Sequence, residues 1–485
     1  MRLRILVFIV GAASLGSEIA AARLLAPWFG SSTIVWANTI ATVLVALSVG
    51  YAIGGRLADR DPSLHQLCKI VVGAAALLAV VPFLAGPFLK LSINAFDSLS
   101  LGVFLGSLIG VMVLIAVPIL LLGMVSPYAV KLSLDGLGDA GRVTGRLYAL
   151  GTVGSLAGTF AASLLLIPLV GSRRTFLIFA LALALSAVLG LSGRTKVVAA
   201  LVVAVLFILI SLPPGTLKAT ANGKVIWESE SDYQYARVIE AEDGTRTLEL
   251  NEGQAVHSLY RPGSYLTDGY WDDMTVLALS AAKRERVAIL GSAAGTTARA
   301  IGHYSPATHI DAVEIDGKVT EAGRRLFDFD APRLDTHAAD ARPWLQRSEG
   351  NFDAVVIDAY RQPYIPFYLA THEFFALVHK RLAPGGIVAI NVGHPASSDK
   401  LEKTLTATLA SVFGRKHVLR DPVDETNTML IAGRPQLTDV PGELQPLADS
   451  LEQRLAPGLR GGTVYTDDKA PVEWLVDLSL AGEAS

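Results

Sequence analysis

Apolar runs follow one another through the first 212 residues and then stop. Seven of them occupy residues 5–25, 34–53, 70–89, 101–125, 147–170, 176–191 and 197–212. A bilayer-crossing helix needs about 20 such residues, so each run is expected to be a spanning helix. The first is too long, and carries Glu18 and Arg23 too centrally, for a cleaved leader, so it should remain in the mature chain. Leu212-Pro213-Pro214-Gly215 ends the last run, because paired prolines cannot continue a helix. Residues 223–260 then alternate in β fashion, as in Tyr235-Ala-Arg-Val-Ile-Glu and Thr247-Leu-Glu-Leu-Asn. After Trp271, buried strands at 286–290, 309–314, 352–358 and 386–391 are separated by helical segments, a pattern that predicts a parallel, doubly wound sheet. The expected organisation is a multi-pass α-helical membrane domain of about seven helices over 1–212, a small β subdomain over 213–272 and an α/β domain over 273–485.

Composition agrees with a membrane half. Hydrophobic residues make up 51% of the chain and charged residues only 18%, against about 25% in an average soluble protein. The net charge of −3 leaves no basic surplus for neutralising phosphates, so nucleic acid is not expected as a partner. One cysteine, Cys68, excludes an internal disulfide or a cysteine-rich metal site. His257, His303, His337 and His394 lack metal-ligand spacing, and no metal is expected.

Within the apolar half, Glu18 and Arg23 are candidates for a polar membrane site, since charges there usually face a partner or a wet cavity. Gly151-Thr-Val-Gly154-Ser-Leu-Ala-Gly158 should let helix backbones approach closely. Gly54-Gly55-Arg56-Leu57-Ala58-Asp59-Arg60 resembles the signature loop of major facilitator transporters; read without that likeness, it is a tight basic turn at the membrane surface. The excess of Lys and Arg on one side places the N-terminus in the cytoplasm. An odd number of spans would then put the C-terminal domain outside. The expectation is nonetheless a multi-pass protein of the inner membrane with a cytosolic C-terminal domain, so that either the span count is off by one or the charge rule fails here.

In a doubly wound sheet, ligands bind at the carboxyl ends of the strands. Gly291-Ser-Ala-Ala-Gly295-Thr296 follows the first strand and lets a ligand approach backbone at a helix start. Glu314 ends the next strand, where a carboxylate can accept from ribose hydroxyls; Asp340 is placed to accept from an adenine amino group; Asp358 ends the strand that begins at Phe352.

These residues resemble the polyamine aminopropyltransferase (spermidine synthase) family over roughly 225–395. Ser231-Asp-Tyr233-Gln234 is similar to the family's opening motif and Leu250-Asn-Glu-Gly-Gln254 to its next hairpin. Tyr270-Trp-Asp272-Asp273-Met274 is similar to a variant of its tyrosine-histidine-acid segment, and Gly291–Thr296 to its glycine loop. Val313-Glu314-Ile-Asp316 matches its ribose strand, Asp340-Ala341 its adenine contact and Asp358 its catalytic aspartate. Residues 363–375 and 465–474 resemble stretches of members fused to a membrane domain. The resemblance implies a Rossmann-like, methyltransferase-type fold and an S-adenosyl sulfonium substrate, with no metal or cofactor. It also implies release of methylthioadenosine, Asp358 as base or amine anchor, and Tyr233 and Tyr270 lining the site. Soluble relatives associate, so a homodimer is expected.

Two departures bear on the substrate. Ala294 stands where the family holds the aminopropyl cation with an aspartate, and Asp358-Ala-Tyr360-Arg361-Gln362-Pro363 carries a cation in place of an acid. An arginine grips carboxylates and repels polyamines. The favoured expectation is therefore a lyase or cyclase acting on S-adenosylmethionine itself to give a homoserine lactone. A true spermidine synthase, recruiting its diamine through Asp272, Asp273 or other acids, is the alternative, and a transporter or sensor with a binding-only soluble domain is a third reading.

Overall fold

The computed structural model describes residues 2–29, 33–96, 102–134, 140–213, 215–220, 222–251, 255–360, 365–394, 398–473 and 475. By its internal contacts the chain falls into two units, one of residues 1–219 with 229–235, the other of 220–228 with 236–485.

Among its described residues up to Ser211 the first unit is almost entirely helical. Six helices among the described residues are long and apolar enough to cross a membrane: Arg2–Phe29, Thr33–Arg60, Leu64–Ser92, Phe104–Ser133, Ala140–Val188 and Gly193–Ser211. The fifth and sixth predicted runs thus lie in one 49-residue stretch, but its backbone breaks at Gly171, where φ is +81°. Small residues act as expected between Arg2–Phe29 and the start of Ala140–Val188: a Cβ at Gly154 would fall 2.2 Å from the Phe8 carbonyl oxygen and one at Gly158 2.0 Å from that of Ala12. The segment 54–60 is neither a loop nor a turn but the last turns of helix Thr33–Arg60. Gly54 is there because a Cβ would meet Met124 Cα at 2.5 Å, so the glycine serves helix packing. Asp59 pairs at the surface with Lys131, 2.7 Å away.

The second unit opens with an antiparallel four-stranded sheet in sequence order, β1 (Lys224–Glu230), β2 (Tyr235–Glu240), β3 (Arg246–Leu250) and β4 (Val256–Tyr260). Alternation along β2 and β3 buries Ala236, Val238, Leu248 and Leu250 on one face, where they pack with Ala294, Val319 and Phe327 of the following domain.

That domain is an eight-stranded sheet of β5 (Arg286–Leu290), β6 (His309–Glu314), β7 (Leu334–Ala338), β8 (Phe352–Ile357), β9 (Leu382–Gly393), β10 (Val418–Pro422), β11 (Asn427–Ala432) and β12 (Ala456–Pro457). The order across the sheet is β12-β10-β11-β9-β8-β5-β6-β7. The five strands from β9 to β7 are parallel and β11, β10 and β12 run antiparallel at the other edge. β5 and β8 are near-continuous apolar strands because helices cover both faces, and two apolar clusters lie on opposite sides of them, one around Phe352, Phe374 and Leu430, the other around Leu277, Ile289 and Leu444. The strand order reverses between β5 and β8, and the loops leaving their carboxyl ends form the crevice where such folds hold ligands.

Candidate active site

The loop after β5 turns tightly because Gly291, Ala293 and Gly295 all have positive φ, of 87°, 45° and 91°. Gly291 and Ser292 donate to Val313 O at 2.9 and 3.0 Å, which draws the loop over the end of β6. A Cβ at Gly291 would lie 2.5 Å from Asp358 O, and one at Gly295 2.1 Å from the Phe329 ring, so neither position has room for a side chain. The helix Thr296–Tyr304 starts directly after the loop.

Glu314 is buried at the end of β6, 8% exposed. It accepts from Ala293 N and Asp316 N, both at 3.0 Å. Burial, with the nearby Asp316 charge adding to it, raises its carboxyl to about 7, although the backbone donors pull the other way. Asp340 caps the helix Ala341–Arg347 by accepting from Arg342 N at 3.1 Å, while its second oxygen accepts from Tyr368 Oη at 2.9 Å. Each oxygen keeps a lone pair, so an additional donor can be accommodated. Ala341 turns its side chain into the apolar core; only its backbone can face a ligand.

Asp358 follows β8, its amide donating to Leu290 O at 2.9 Å. Its carboxylate accepts from Tyr270 Oη at 3.2 Å and from Asn391 Nδ2 at 2.9 Å. Desolvation raises it to about 6 despite those two donors. Burial also lifts the Tyr270 and Tyr360 hydroxyls well above the usual tyrosine range. Asn391 is itself oriented: Asn427 Nδ2 donates to its side-chain oxygen at 2.8 Å, and Tyr360 Oη to its carbonyl at 3.1 Å. A carboxylate that ionises near neutrality between an amide and a phenol can hold an ammonium ion or take its proton.

The structure therefore assembles Tyr270, Gly291, Gly295, Glu314, Asp340, Asp358 and Tyr360 around the switch point. Gln254 and Arg361 lie outside the described residues. Tyr233 and Gln234 belong to the helical unit. There the Ser231 hydroxyl accepts from the amides of both at 3.1 Å and closes a tight turn. Arg23 donates to the Asp232 carbonyl in the same turn, while Glu18 is half-buried on its helix.

Asp272 and Asp273, named above as diamine acids, are both engaged by internal partners. Asp272, 4% exposed, accepts from Thr267 N, Thr267 Oγ1 and Asp268 N at 2.8–3.1 Å and fixes the turn before helix Tyr270–Leu279. Asp273 pairs with Arg454 at 2.9 Å, and Arg454 also binds the fully buried Asp421 at 2.8 and 3.0 Å. Adjacent helical positions point about 100° apart, and here both point inward. Ala294 is fully buried against β2 and β3, so a carboxylate at this position would sit among apolar side chains.

Asn391, Asn427 and Tyr368 were not anticipated from sequence. Asn391 offered the same signal as Asp358, a polar residue near the carboxyl end of an apolar strand; Tyr368 offered none. Apart from the site, His309, Asp311 and Asp335 bring ligand-type atoms within 4.8 Å of one another. They sit nearer the amino ends of their strands, and Asp311 is already bound by Arg286 at 2.8 Å and His337 at 2.9 Å, a structural ion network.

A doubly wound sheet with a glycine-bearing loop and strand-end acids at its switch point is the framework on which α/β enzymes hold nucleoside-type ligands. Residues 267–420 match the spermine/spermidine synthase domain family. The chain is 31% identical over 326 residues to a probable polyamine aminopropyl transferase of Bifidobacterium longum (strain NCC 2705), covering 61% of this chain and 73% of that one. It is 27% identical over 409 residues to a polyamine aminopropyltransferase of Mycobacterium tuberculosis (strain ATCC 25618 / H37Rv), covering 77% of this chain, a share the α/β unit alone cannot supply, and 74% of that one. Among solved structures it is similar to a spermidine synthase in complex with the transition-state analogue AdoDATO, at 19% identity and a TM-score of 0.38 over 50% of this chain and 83% of that one. This chain belongs to the polyamine aminopropyltransferase (spermidine synthase) family and is an enzyme of the transferase kind.

Proposed function

We propose that this protein is a membrane-bound aminopropyltransferase that moves the aminopropyl group of decarboxylated S-adenosylmethionine to a polyamine such as putrescine. The observation that carries the reading is Asp358, held by Tyr270 and Asn391 beside the glycine loop and ionising near neutrality. An amine nitrogen forms a bond to the carbon next to the sulfonium sulfur; the carbon–sulfur bond breaks with its electron pair going to sulfur, and neutral methylthioadenosine leaves. The proton displaced from the amine passes to Asp358. Glu314 would accept the ribose hydroxyls and Asp340 the adenine amino group. The sulfonium sulfur is already cationic and leaves as a neutral thioether, so no cofactor is needed, and the site's work is orientation and exclusion of water.

The lyase reading, in which S-adenosylmethionine's own carboxylate attacks its chain, is favoured by one structural observation, the apolar cluster around Ala294, in which no described residue is an acid. Family membership weighs for the transferase. Purified protein incubated with each sulfonium, with and without putrescine, separates the two. Putrescine-dependent methylthioadenosine release from the decarboxylated compound is expected; putrescine-independent release from S-adenosylmethionine would overturn it.

The six long apolar helices support residence in the cell membrane. We place the catalytic unit in the cytosol because its sulfonium substrate is made there. Parity turns on the 49-residue helix: counted as one pass it keeps both chain ends on one side, and broken at Gly171 into two it separates them. Cys68, the one cysteine, is buried, so a cysteine introduced at Asp449 is labelled selectively. Protection from an impermeant thiol reagent in intact cells, and reaction after lysis, is the expected result; labelling in intact cells would put the domain outside.

A further inference from the structure

The C-terminal stretch Tyr465-Thr-Asp467 reads from sequence as surface packing, yet its carboxylate reaches towards the nucleoside side of the site. Asp467 takes both Arg342 nitrogens, at 2.7 and 2.6 Å, in a two-toothed pair. Arg342 is the second residue of the helix that Asp340 caps, and it also donates to the Tyr368 carbonyl at 3.0 Å. The Asp467 carboxylate further accepts from Thr371 Oγ1 at 2.7 Å, and Thr371 caps the helix His372–Arg381. Between those contacts lies Tyr368, whose hydroxyl donates to Asp340. One carboxylate thus joins the start of the Asp340 helix to the segment that leads from Asp358 to the next helix. The tail carrying it is pinned independently: Tyr465 is 5% exposed, its carbonyl accepts from His372 N at 2.8 Å, and its amide donates to Thr408 Oγ1 at 3.1 Å.

From this geometry we infer that Asp467 is a positioning residue for the nucleoside half of the site, holding Arg342 and Tyr368 so that the Asp340 carboxylate is aimed at the adenine amino group. The inference rests on the assignment of Asp340 to adenine. A purely structural role does not account for the arrangement. Asp467 is about half exposed, and ion pairs at such positions contribute little to stability, so its pairing with Arg342 is not expected to hold the fold together. Binding does depend on the direction of Asp340, because small misplacements of a positioned group are costly.

The full-length protein with Asp467→Asn, and separately with Tyr368→Phe, tests this. Calorimetry with methylthioadenosine is expected to show affinity weakened about tenfold in each, KM for the decarboxylated sulfonium raised to match and kcat changed less than about threefold. Thermal melting should stay near the parent's. Unchanged affinity in Asp467→Asn would overturn the inference, and so would a collapse of its melting temperature, which would make the contact structural. If the parent protein itself takes up no methylthioadenosine, the assignment of the site fails; if the parent binds and both variants bind equally well, only the role of Asp467 fails.

Discussion

Asp358 shows how a residue suited to chemistry is ill suited to folding. Its carboxyl, raised to about 6 from an unfolded value of 3.8, costs more to ionise in the folded protein than in the unfolded chain. That cost is absent below the unfolded value and fully present above pH 6 or so, so it weighs against the fold at neutral pH. Asp358→Asn is therefore expected to lower turnover by about 10²–10⁴-fold while raising the melting temperature by a few degrees at pH 7.5 and by nothing at pH 4. Calorimetric scans at the two pH values, beside an activity assay, check both halves. In the parent protein, methylthioadenosine release should fall as pH drops through about 6, where the base takes its proton. Asp358 is legible as a strand-end acid, but its partner Asn391 is not, because the pairing of β8 with β9 that brings them together joins residues 33 apart in sequence.

At the scale of elements, the loop between β5 and the helix Thr296–Tyr304 is the part most tightly determined. Gly295 combines a φ of +91° with a would-be Cβ 2.1 Å from Phe329, and Phe329 is 2% exposed and cannot retreat. Gly295→Ala is expected to cost about 2–4 kcal/mol, the sum of backbone strain and overpacking, and to abolish uptake of methylthioadenosine. Urea unfolding followed by fluorescence gives the first quantity and calorimetry the second; a variant that binds normally would show that the loop is not the nucleoside cradle. The cores of β5, β6 and β8 are legible because apolar runs of four to six residues end in Gly, Glu or Asp, whereas β9 runs from Leu382 to Gly393, beyond the expected 386–391. The antiparallel edge strands β10 to β12 are not legible, since nothing in their local pattern says where in the sheet they add. The pairing of Asp272 and Asp273 is illegible for a related reason: helix Tyr270–Leu279 is buried nearly all round, so its polar residues find internal partners that local sequence does not name.

For the whole molecule, the helical unit predicts behaviour during purification. The protein should sediment with membranes, resist extraction by high salt or carbonate and dissolve only in detergent; release by carbonate would count against spanning helices. That prediction belongs to the sequence, since hydropathy alone marks the helices. Sequence also determined the succession of an apolar helical half, a small β sheet and alternating strands and helices, together with the family motifs at strand ends, because periodicity and turn residues are local properties. Only the tertiary structure decided which of the acids near those motifs face the cleft, that Asn391 and Tyr368 stand behind Asp358 and Asp340, and that the tail carboxylate Asp467 reaches the start of the Asp340 helix. Those arrangements depend on which strands and loops lie side by side, and contacts between residues 28 to 125 positions apart leave no mark in the local pattern of a chain.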